Sequence, residues 1–394
     1  MAGTSAIIFV PDDTAKTGLS CPLMLYPVMG SPLLAWLVRT LELSGTERFF
    51  LVCHERYREA ALGSFHDPAQ VTVSVSQDAP DLLHVFLSTA EDEEQSVMVV
   101  TGPAVFLPPV RGGFHPADHP LPSCVCDVDR ERLMAALDDS FSFREFLQNN
   151  GVAYTAADGV YTVSSIEELY DWQPAMQRQA MLQLLQHGVT IWDPASCYID
   201  PRCFISPGTE LRPGTILRGR TTIGEDCVIG PNTLLENAKV GAGSEINASQ
   251  VYDSVIGKST TVGPFAYVRP GCNIGDHIKL GDFVEVKNST LGNGTKVAHL
   301  TYIGDSDVGQ DCNFGCGTVT VNYDRVKKYR TTIGDRCFIG CNTNLVAPVT
   351  LGEGAYTAAG TTVTDDVPAQ ALAVGRARQI NKRDWAAKNK LKSE

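Results

Sequence analysis

The 394-residue sequence lacks the features that would place it in a membrane or direct it to secretion. No apolar run approaches the ~18 residues that a transmembrane helix needs. The N-terminal segment has no basic start followed by a long apolar stretch, so it does not read as a signal peptide. We therefore expect a cytoplasmic protein without a membrane span.

Positive charge is also scarce. The chain carries 32 Lys and Arg against 45 Asp and Glu, a formal net charge of −13. A nucleic-acid surface needs clustered Lys and Arg to neutralise phosphates. The charge balance argues against nucleic acid as a partner and leaves only local basic patches for small phosphorylated ligands.

Paired cysteine motifs are missing as well. Twelve cysteines are scattered along the chain and no CxxC occurs. Cys124 and Cys126 form a CxC with no matching second pair, which is a weak metal signal. Without secretion there is little reason to expect disulfides. We expect reduced thiols, most of them small core residues, and no metal site for the chemistry.

The second half of the chain contains an internal repeat. An aliphatic residue recurs every six positions, often followed by Gly, and the first series is Ile199, Ile205, Leu211, Leu217, Ile223 and Ile229. The phase resumes twice, at Ile256 and again at Ile333. This period fits neither a helix nor a simple strand. It predicts a parallel β-helix whose three short faces close a coil of about 18 residues.

Two segments interrupt the repeat. The phase shifts at 287–302, although the chain stays solenoid-like there. At 320–332 the polar and basic segment TVNYDRVKKYRTT replaces a repeat, so we expect it to loop out. Loops that project from a rigid scaffold often carry chemistry.

The first half predicts an α/β domain. Strands are expected at Ala6–Val10, Phe49–Cys53, Val71–Val75 and Val97–Thr101, and helices at Pro32–Ser44 and Asp81–Thr89. This alternation favours a doubly wound sheet. We divide the chain into an α/β domain at 1–165, a linker helix at 166–190, and a β-helix domain with a C-terminal tail at 191–394.

Five motifs resemble one family: VRPG at 268–271, GDFVEVK at 281–287, AHLTYIGD at 298–305, NFGCGTVTVNYD at 313–324 and LVAPVTLGEGAYTAAGTTVT at 345–364. It is the family of bifunctional N-acetylglucosamine-1-phosphate uridyltransferase/glucosamine-1-phosphate N-acetyltransferase enzymes. The resemblance to the acetyltransferase domain covers roughly 190–385. The α/β half and linker helix, through HGVTIWDPA at 187–195, fit that family in architecture rather than in chemistry.

The resemblance implies a left-handed β-helix that assembles as a homotrimer. It also implies that acetyl-CoA and a sugar phosphate bind between neighbouring subunits. The reaction would move an acetyl group from acetyl-CoA to the amine of glucosamine 1-phosphate. The product, N-acetylglucosamine 1-phosphate, would serve UDP-N-acetylglucosamine and cell-envelope synthesis.

Acyl transfer to an amine needs a base near neutrality, and histidine is the usual choice. The solenoid contains His277 and His299. His299 matches the family's catalytic base, whereas His277 lies in a turn-like IGDH segment and is expected to be solvated. The alternative for His299 is a structural histidine. Two histidines are too few for the zinc site of a β-helix carbonic anhydrase, which needs three.

A sugar 1-phosphate needs fixed cations. Arg269 and Lys287 are separated by one full coil of the repeat, so they should stack on the same edge and converge on one phosphate. The resemblance assigns the same role to both, and assigns sugar contacts to Tyr302 and Asn313. Glu285 shares a strand with Lys287, so it either orients the amino sugar or pairs with Lys287.

The other matched positions concern the acyl group and its carrier. Asn322 and Tyr323 match residues that orient the sugar and the acyl group, and Lys328 matches a basic position of the same loop, with a solvated face as the alternative. We count these three residues among the acetyl-CoA-binding positions, together with Cys316, Cys341, Ala359 and Arg376, of which Arg376 suits a CoA phosphate. The family usually has Ala where Cys316 stands and Ser where Cys341 stands, which puts the affinity for acetyl-CoA in question.

The first domain departs from the family's nucleotidyltransferase pattern. The glycine-rich, basic loop after the first strand is replaced by PDDTAKTGLSCPLMLYPVMG, and Leu23 stands where the pattern places a Lys. Pro103 replaces a metal-binding Asp, and Ser164 falls where the second metal-binding Asn would be. We expect that this Mg²⁺ site and uridylyl transfer are lost. The domain would then be a scaffold, a regulatory site or a recruiter of a separate uridyltransferase.

The sequence thus predicts an acetyl-CoA-dependent glucosamine-1-phosphate N-acetyltransferase. One alternative is a bifunctional enzyme that keeps uridylyl transfer through unrecognised substitutions. Another is a non-catalytic or regulatory homologue.

Overall fold

The computed structural model describes residues 5–75, 80–90, 94–107, 123–137 and 143–388. The chain forms two compact units that divide between Gly243 and Ser244. Residues 389–394, the end of the predicted tail, lie outside the described residues. The domain boundaries proposed at residues 165 and 190 stay predictions.

Apolar strands build a six-stranded sheet in the first unit. Its strands lie in the order Val71–Ser74, Arg48–Cys53, Ser5–Val10, Ser96–Val100, Val125–Asp129 and Val152–Ala153. The first four are parallel, and the last two are antiparallel to their neighbours. The chain winds outward on both sides of Ser5–Val10, as a doubly wound sheet does, and the antiparallel pair extends one edge. The four predicted strands are confirmed to within a residue.

Helices cover both faces of this sheet, where two separate apolar clusters form. The predicted helices are confirmed at Leu33–Leu43 and Pro80–Ser88. The remaining α-helices are Thr14–Thr17, Arg58–Leu62, Arg130–Ala136 and Phe143–Asn150, and the 3₁₀ turns are Leu23–Leu25, Glu55–Tyr57, Pro68–Gln70 and Ala156–Asp158. Two short antiparallel pairs join Pro27–Val28 with Ser31–Pro32 and Ala104–Phe106 with Val160–Thr162.

A long helix, Ile166–Gln186, follows the α/β domain. Ser165 caps it by accepting a hydrogen bond from the Glu168 backbone N–H at 3.3 Å. Pro174 lies inside this single helix and does not start a new one. Gly188 follows the helix with a φ of +87°, a conformation that glycine adopts without strain. Among the helices that the structure describes, none is both long and apolar enough to cross a bilayer.

Residues 190–240 of the first unit form three parallel ladders of short strands. We name the ladders face I, face II and face III in chain order. The face I strands are Thr190–Ile191, Glu210–Leu211 and Val228–Ile229; those of face II are Tyr198–Ile199, Ile216–Arg218 and Leu234–Glu236; those of face III are Phe204–Ile205, Thr222–Ile223 and Lys239–Val240.

The second unit contains the same three faces, with parallel pairing throughout. Its face I strands are Glu245–Ile246, Thr261–Val262, Lys279–Asp282, Lys296–His299, Asn313–Phe314, Phe338–Ile339, Tyr356–Thr357 and Leu372–Ala373. Face II has Gln250–Tyr252, Tyr267–Val268, Glu285–Lys287, Tyr302–Gly304, Val319–Val321, Asn344–Val346 and Thr362–Val363. Face III has Val255–Ile256, Asn273–Ile274, Thr290–Leu291, Ser306–Val308, Thr331–Ile333 and Val349–Leu351, and a short helix, Trp385–Lys388, follows. This is the predicted left-handed parallel β-helix.

The period of six arises because every sixth residue points into the coil. Val262, Leu280, Val297, Phe314 and Ile339 form one inward row on face I, each at most 3% exposed. Burial of such a side chain contributes about 1.5–3 kcal/mol. The repeated row therefore stabilises the coil and fixes the outward direction of the residues beside it. All twelve cysteines are free.

Corners between the faces carry residues with left-handed backbone conformation, among them Phe283 with φ +57° and Leu300 with φ +43°. The phase shift seen in the sequence corresponds to two successive coils that are each one residue shorter than the regular repeat, since Lys279 pairs with Lys296 and Lys296 pairs with Asn313. The predicted loop is confirmed, and it contains fewer residues than the predicted segment 320–332. Face II continues through Val321 and face III resumes at Thr331, so only residues 322–330 project.

Candidate functional site

A histidine–carboxylate pair lies at the end of two neighbouring face I strands. His299 Nδ1 and Asp282 Oδ1 are 2.6 Å apart. The pair forms because Asp282 and His299 are register partners and each precedes a left-handed corner residue. The hydrogen bond from His299 lowers the pKa of Asp282, so this carboxylate is ionised near neutrality. An ionised carboxylate only accepts, so Nδ1 carries a proton, and in the neutral form of the imidazole Nε2 then has the lone pair.

The face I corner continues as a row of small residues. Register places Cys316, Cys341 and Ala359 at the position of His299 in the successive coils. Cys316 is half-buried, whereas Cys341 and Ala359 are exposed. Arg376 follows beside Gly360, where its Cδ would lie 3.8 Å from a Cβ added to that glycine. The structure therefore aligns all four predicted acetyl-CoA positions of this corner along one edge that starts at His299.

A second group of predicted residues lies on face II. Arg269 and Lys287 stack in adjacent coils, as their spacing predicts. Each cation already has a carboxylate partner: Arg269 bonds Glu285 at 3.0 Å and Lys287 bonds Asp305 at 3.1 Å. Of the two alternatives for Glu285, pairing with Lys287 is wrong, because the Glu285 carboxylate turns to the cation of the preceding coil. Its orienting the amino sugar stays a prediction.

The amide of Asn322 lies between Tyr302 and Asp305. Its Nδ2 is 3.5 Å from the Tyr302 hydroxyl and donates a short hydrogen bond to Asp305 Oδ2. Asn322 is 9% exposed, so its amide is held in one orientation. Tyr302 is half-buried on the outer side of face II, in register with Glu285.

Tyr323 and Lys328 form an antiparallel bridge within the projecting loop 322–330. The Tyr323 hydroxyl donates to the Arg325 carbonyl at 2.8 Å, and its side chain stays exposed. Lys328 lies next to Lys287, and this contact lowers the pKa of Lys328. Two ammonium groups side by side create a place where an anion would be stabilised.

Asn313 lies on a different face from the other sugar-binding candidates. It is on face I, in register with Lys296 and Phe338, while Tyr302 and Lys287 are on face II. The structure thus forms one group around Lys287 on face II and another along the corner of His299. Asn313 lies on face I, the same face as His299.

Two carboxylates at the site, Asp282 and Asp305, were absent from the sequence predictions. Asp282 and His299 are register partners because the coil between them is one of the two shortened coils. Asp305 likewise lies one shortened coil after Asn288. The phase shift at 287–302 was the signal that would have pointed to both.

In the first unit the loop after the first strand is closed by internal bonds. Asp12 accepts a bond from Thr14 Oγ1 at 2.7 Å and pairs with Arg56, and these contacts lower its pKa. Asp13 Oδ1 accepts from the Leu23 backbone N–H at 3.0 Å. Leu23 is 1% exposed and packs in an apolar cluster. These side chains hold the loop together.

The positions expected for metal ligands offer no carboxylate. The Pro103 carbonyl accepts from the Val163 backbone N–H at 2.9 Å, so Pro103 lies near Ser164. Ser164 donates from its hydroxyl to Glu168 at 3.0 Å. In the part of the chain that the structure describes, no group of three His, Cys, Asp or Glu could hold a metal ion. These residues do not fit a Mg²⁺ site, which takes carboxylate oxygens.

Parts of the chain are similar to known proteins. The sequence profile of the bacterial transferase hexapeptide (six repeats) matches residues 253–288 and 330–365. Bifunctional protein GlmU of Clostridium perfringens is 51% identical over 242 residues, 61% of this chain and 53% of that protein. The GlmU of Brevibacillus brevis is 49% identical over 239 residues, 60% of this chain and 52% of that protein. The chain therefore spans about half the length of these curated relatives.

Solved structures overlap less well. UDP-N-acetylglucosamine acyltransferase from Campylobacter jejuni is 18% identical and covers 45% of this chain and 71% of that one, with a TM-score of 0.27. A score this low supports no further conclusion. Over the aligned residues the chain is similar to bifunctional GlmU proteins, and two of its segments match the hexapeptide repeat.

Proposed function

We propose that this protein transfers the acetyl group of acetyl-CoA to the amine of glucosamine 1-phosphate. The observation that carries the proposal is the His299–Asp282 pair, 2.6 Å between Nδ1 and Oδ1, at the head of a row of small residues. More than half of the His299 side chain is exposed, so Nε2 is accessible to a substrate. The resemblance to GlmU over 61% of the chain supports the same reaction.

In this mechanism His299 Nε2 accepts the proton of the substrate amine. The nitrogen lone pair attacks the thioester carbonyl carbon, the N–C bond forms, and collapse of the tetrahedral intermediate breaks the C–S bond. The CoA thiolate leaves and takes the proton held on His299 Nε2, which regenerates the base. Asp282 holds the Nδ1–H and stabilises the imidazolium that forms, a role that contributes to general-base catalysis.

The cofactor arm would follow the corner row. Cys316, Cys341 and Ala359 are small enough to admit a pantetheine chain, and the exposed guanidinium of Arg376 suits a CoA phosphate. Tyr323 in the projecting loop would orient the acyl group. We include acetyl-CoA as a co-substrate, and acetyl transfer of this kind needs no metal.

The phosphate of the sugar would be held by the cations of face II. Arg269 and Lys287 are each offset by a carboxylate, so the exposed Lys328 supplies the extra positive charge. Lys328 has a lowered pKa because it lies beside Lys287, and a bound phosphate dianion would relieve that repulsion. Tyr302, Asn313 and Asn322 would read sugar hydroxyls.

We further propose a homotrimer in which neighbouring subunits complete the site. Hexapeptide solenoids expose flat faces and apolar corners, and here the stacked rings of Phe265 and Phe283 are 60% and 56% exposed. Exposed aromatic pairs of this kind are typical of subunit interfaces.

The first unit is proposed to lack uridylyl transfer. Leu23 is buried in the core, and Asp12 forms an ion pair with Arg56. Pro103 has no side-chain oxygen that could bind a metal ion. The alternative, a bifunctional enzyme, predicts pyrophosphate release from UTP and N-acetylglucosamine 1-phosphate with Mg²⁺.

One experiment tests both parts of the proposal. The purified full chain is assayed for thiol release with acetyl-CoA and a panel of amino-sugar phosphates, and in parallel for pyrophosphate release from UTP. We expect thiol release with glucosamine 1-phosphate and no pyrophosphate release from UTP. Absence of thiol release with every acceptor would refute acetyl transfer, and steady pyrophosphate release would refute the loss of the first activity.

A further inference from the structure

A buried carboxylate lies at the centre of the face II group. The Asp305 side chain is 5% exposed and contacts the Lys287 ammonium at 3.1 Å. It also accepts from Asn288 Nδ2 at 2.6 Å and from Asn322 Nδ2. Charged groups are rarely buried unless paired and hydrogen-bonded, and Asp305 has both kinds of partner.

The position of Asp305 in the coil explains these contacts. It follows the strand Tyr302–Gly304, and its backbone N–H donates to the Lys287 carbonyl at 2.9 Å. Register places Asn288 one coil before it and Asn322 one coil after it, at the same corner. Asp305 is therefore the middle rung of a stack of three side chains and reaches into both neighbouring coils.

Only a carboxylate satisfies this arrangement. Three donor groups, one ammonium and two amides, point at the two oxygens of Asp305. An asparagine at 305 would offer one acceptor oxygen and bring an additional NH₂ donor against them. A corner aspartate without a further role would need only its own backbone conformation, φ +50°, which asparagine adopts equally well.

The electrostatics agree with the geometry. Burial alone would raise the pKa of Asp305, but the bonds from Asn288, Lys287 and Asn322 outweigh it and lower the pKa. The carboxylate is thus charged and offsets Lys287, whose other neighbour is the ammonium of Lys328. Without Asp305, the repulsion between the two lysines would be free to turn Lys287 away.

We infer that Asp305 is a positioning residue: it holds the Lys287 ammonium and the Asn322 amide in the orientation that receives the phosphate and the sugar of the substrate. This inference rests on the proposed function, because it assigns those two side chains to glucosamine 1-phosphate. Asp305 itself is buried behind them and does not touch the reacting atoms.

The test compares Asp305→Asn with a matched control, Asp311→Asn. Asp311 is also a corner aspartate, with φ +52°, but it is exposed and lies on another corner. Both substitutions keep the turn and remove one charge. Steady-state kinetics of the full chain are measured with each substrate varied in turn, together with thermal unfolding.

For Asp305→Asn we expect the KM for glucosamine 1-phosphate to rise about tenfold to a hundredfold. The KM for acetyl-CoA should stay within about twofold, because the cofactor row is on the other face. Asp311→Asn should match the unaltered protein. A similar rise in both KM values, no rise in either, or the same loss in Asp311→Asn would overturn the inference.

The outcome is separable from the proposed function. If the unaltered protein releases no thiol, acetyl transfer is wrong, and the inference is decided by calorimetric titration with glucosamine 1-phosphate alone. Binding that weakens at least about tenfold in Asp305→Asn supports the positioning role. Equal binding by both proteins, or no binding by the unaltered one, overturns it.

Discussion

The loop after the first strand and the corner of His299 both carry polar residues, but they use them in opposite ways. In the loop, Asp12 is paired with Arg56 and Asp13 caps the Leu23 amide. At the corner, one nitrogen of His299 contacts Asp282, and the other is the atom that we propose as the base for the substrate amine. A functional group is useful only when its neighbours hold it in place and leave its reactive atom free.

The two regions also differ in how their surroundings are built. The first-unit loop packs Leu23 into a core cluster, so its sequence serves stability. The solenoid keeps its aliphatic rows inside the coil. Its outward side chains are not needed to fill that core, so polar and titratable residues can stand there. This is the physical reason to expect activity in the second unit and none in the first.

The strongest challenge to this comparison is His299→Ala. Loss of the general base should lower kcat for acetyl transfer by about 10²–10⁴, with thermal unfolding unchanged because the side chain is exposed. Thiol release measures the effect. His277→Asn is the control, since His277 is also an exposed corner histidine with a left-handed φ of +57° that asparagine tolerates. A wild-type rate in His299→Ala would remove this residue as the base.

The second test concerns the first unit. Leu23→Lys restores the residue type of the family pattern, but it buries an ammonium at a site that is 1% exposed. We expect a loss of about 3 kcal/mol in the free energy of unfolding and no gain of pyrophosphate release from UTP. Denaturant unfolding is compared with Val85→Lys, a change at a 61% exposed helix position that should cost little. Unchanged stability together with new uridylyl transfer would contradict the view that Leu23 serves only the core of the first unit.

The third test separates His299 from its partner. Asp282→Asn keeps the size of the side chain but no longer requires Nδ1 to carry the proton, so a fraction of His299 adopts the wrong tautomer. We expect kcat to fall about tenfold to a hundredfold while both KM values stay close to those of the unaltered protein. Asp311→Asn again serves as the matched corner control. A KM effect without a kcat effect would assign Asp282 to binding instead.

Much of this fold could be predicted because a period of six shows which side chains point into the coil and which point outward. Every inward aliphatic residue sets the outward direction of its neighbours, and the stacking of Arg269 on Lys287 followed from their separation by one regular coil. The ion pairs did not follow. Glu285 pairs backward with Arg269, and Asp305 pairs backward with Lys287 across one coil. The Asp305 pair depends on a shortened coil, which only the phase shift signals. The Glu285 pair lies across a regular coil, where the repeat does not determine whether the carboxylate turns to Arg269 or to Lys287.

The α/β half was predictable for a different reason. Its buried strands are continuous apolar runs, so Ser5–Val10 and Arg48–Cys53 stand out, and a parallel order follows from the intervening helices. The antiparallel edge strands were missed. The strand Val152–Ala153 is short and exposed, and no hydrophobic pattern marks it.

The smallest expected effect sharpens the picture of the cofactor row. Cys341→Ser introduces the residue usual in the family at an exposed position of the corner. A hydroxyl is a stronger hydrogen-bond donor than a thiol of similar size, so the KM for acetyl-CoA should fall about threefold with kcat unchanged. Cys316→Ala, one coil nearer to His299 and half-buried, removes a thiol without adding a donor and should leave the KM within about twofold. The two positions are register partners on one edge. A lower KM for acetyl-CoA in Cys341→Ser alone would therefore support binding of the pantetheine chain along that edge. Equal changes in both variants, or a change in the KM for the sugar phosphate, would mean that the cofactor lies elsewhere.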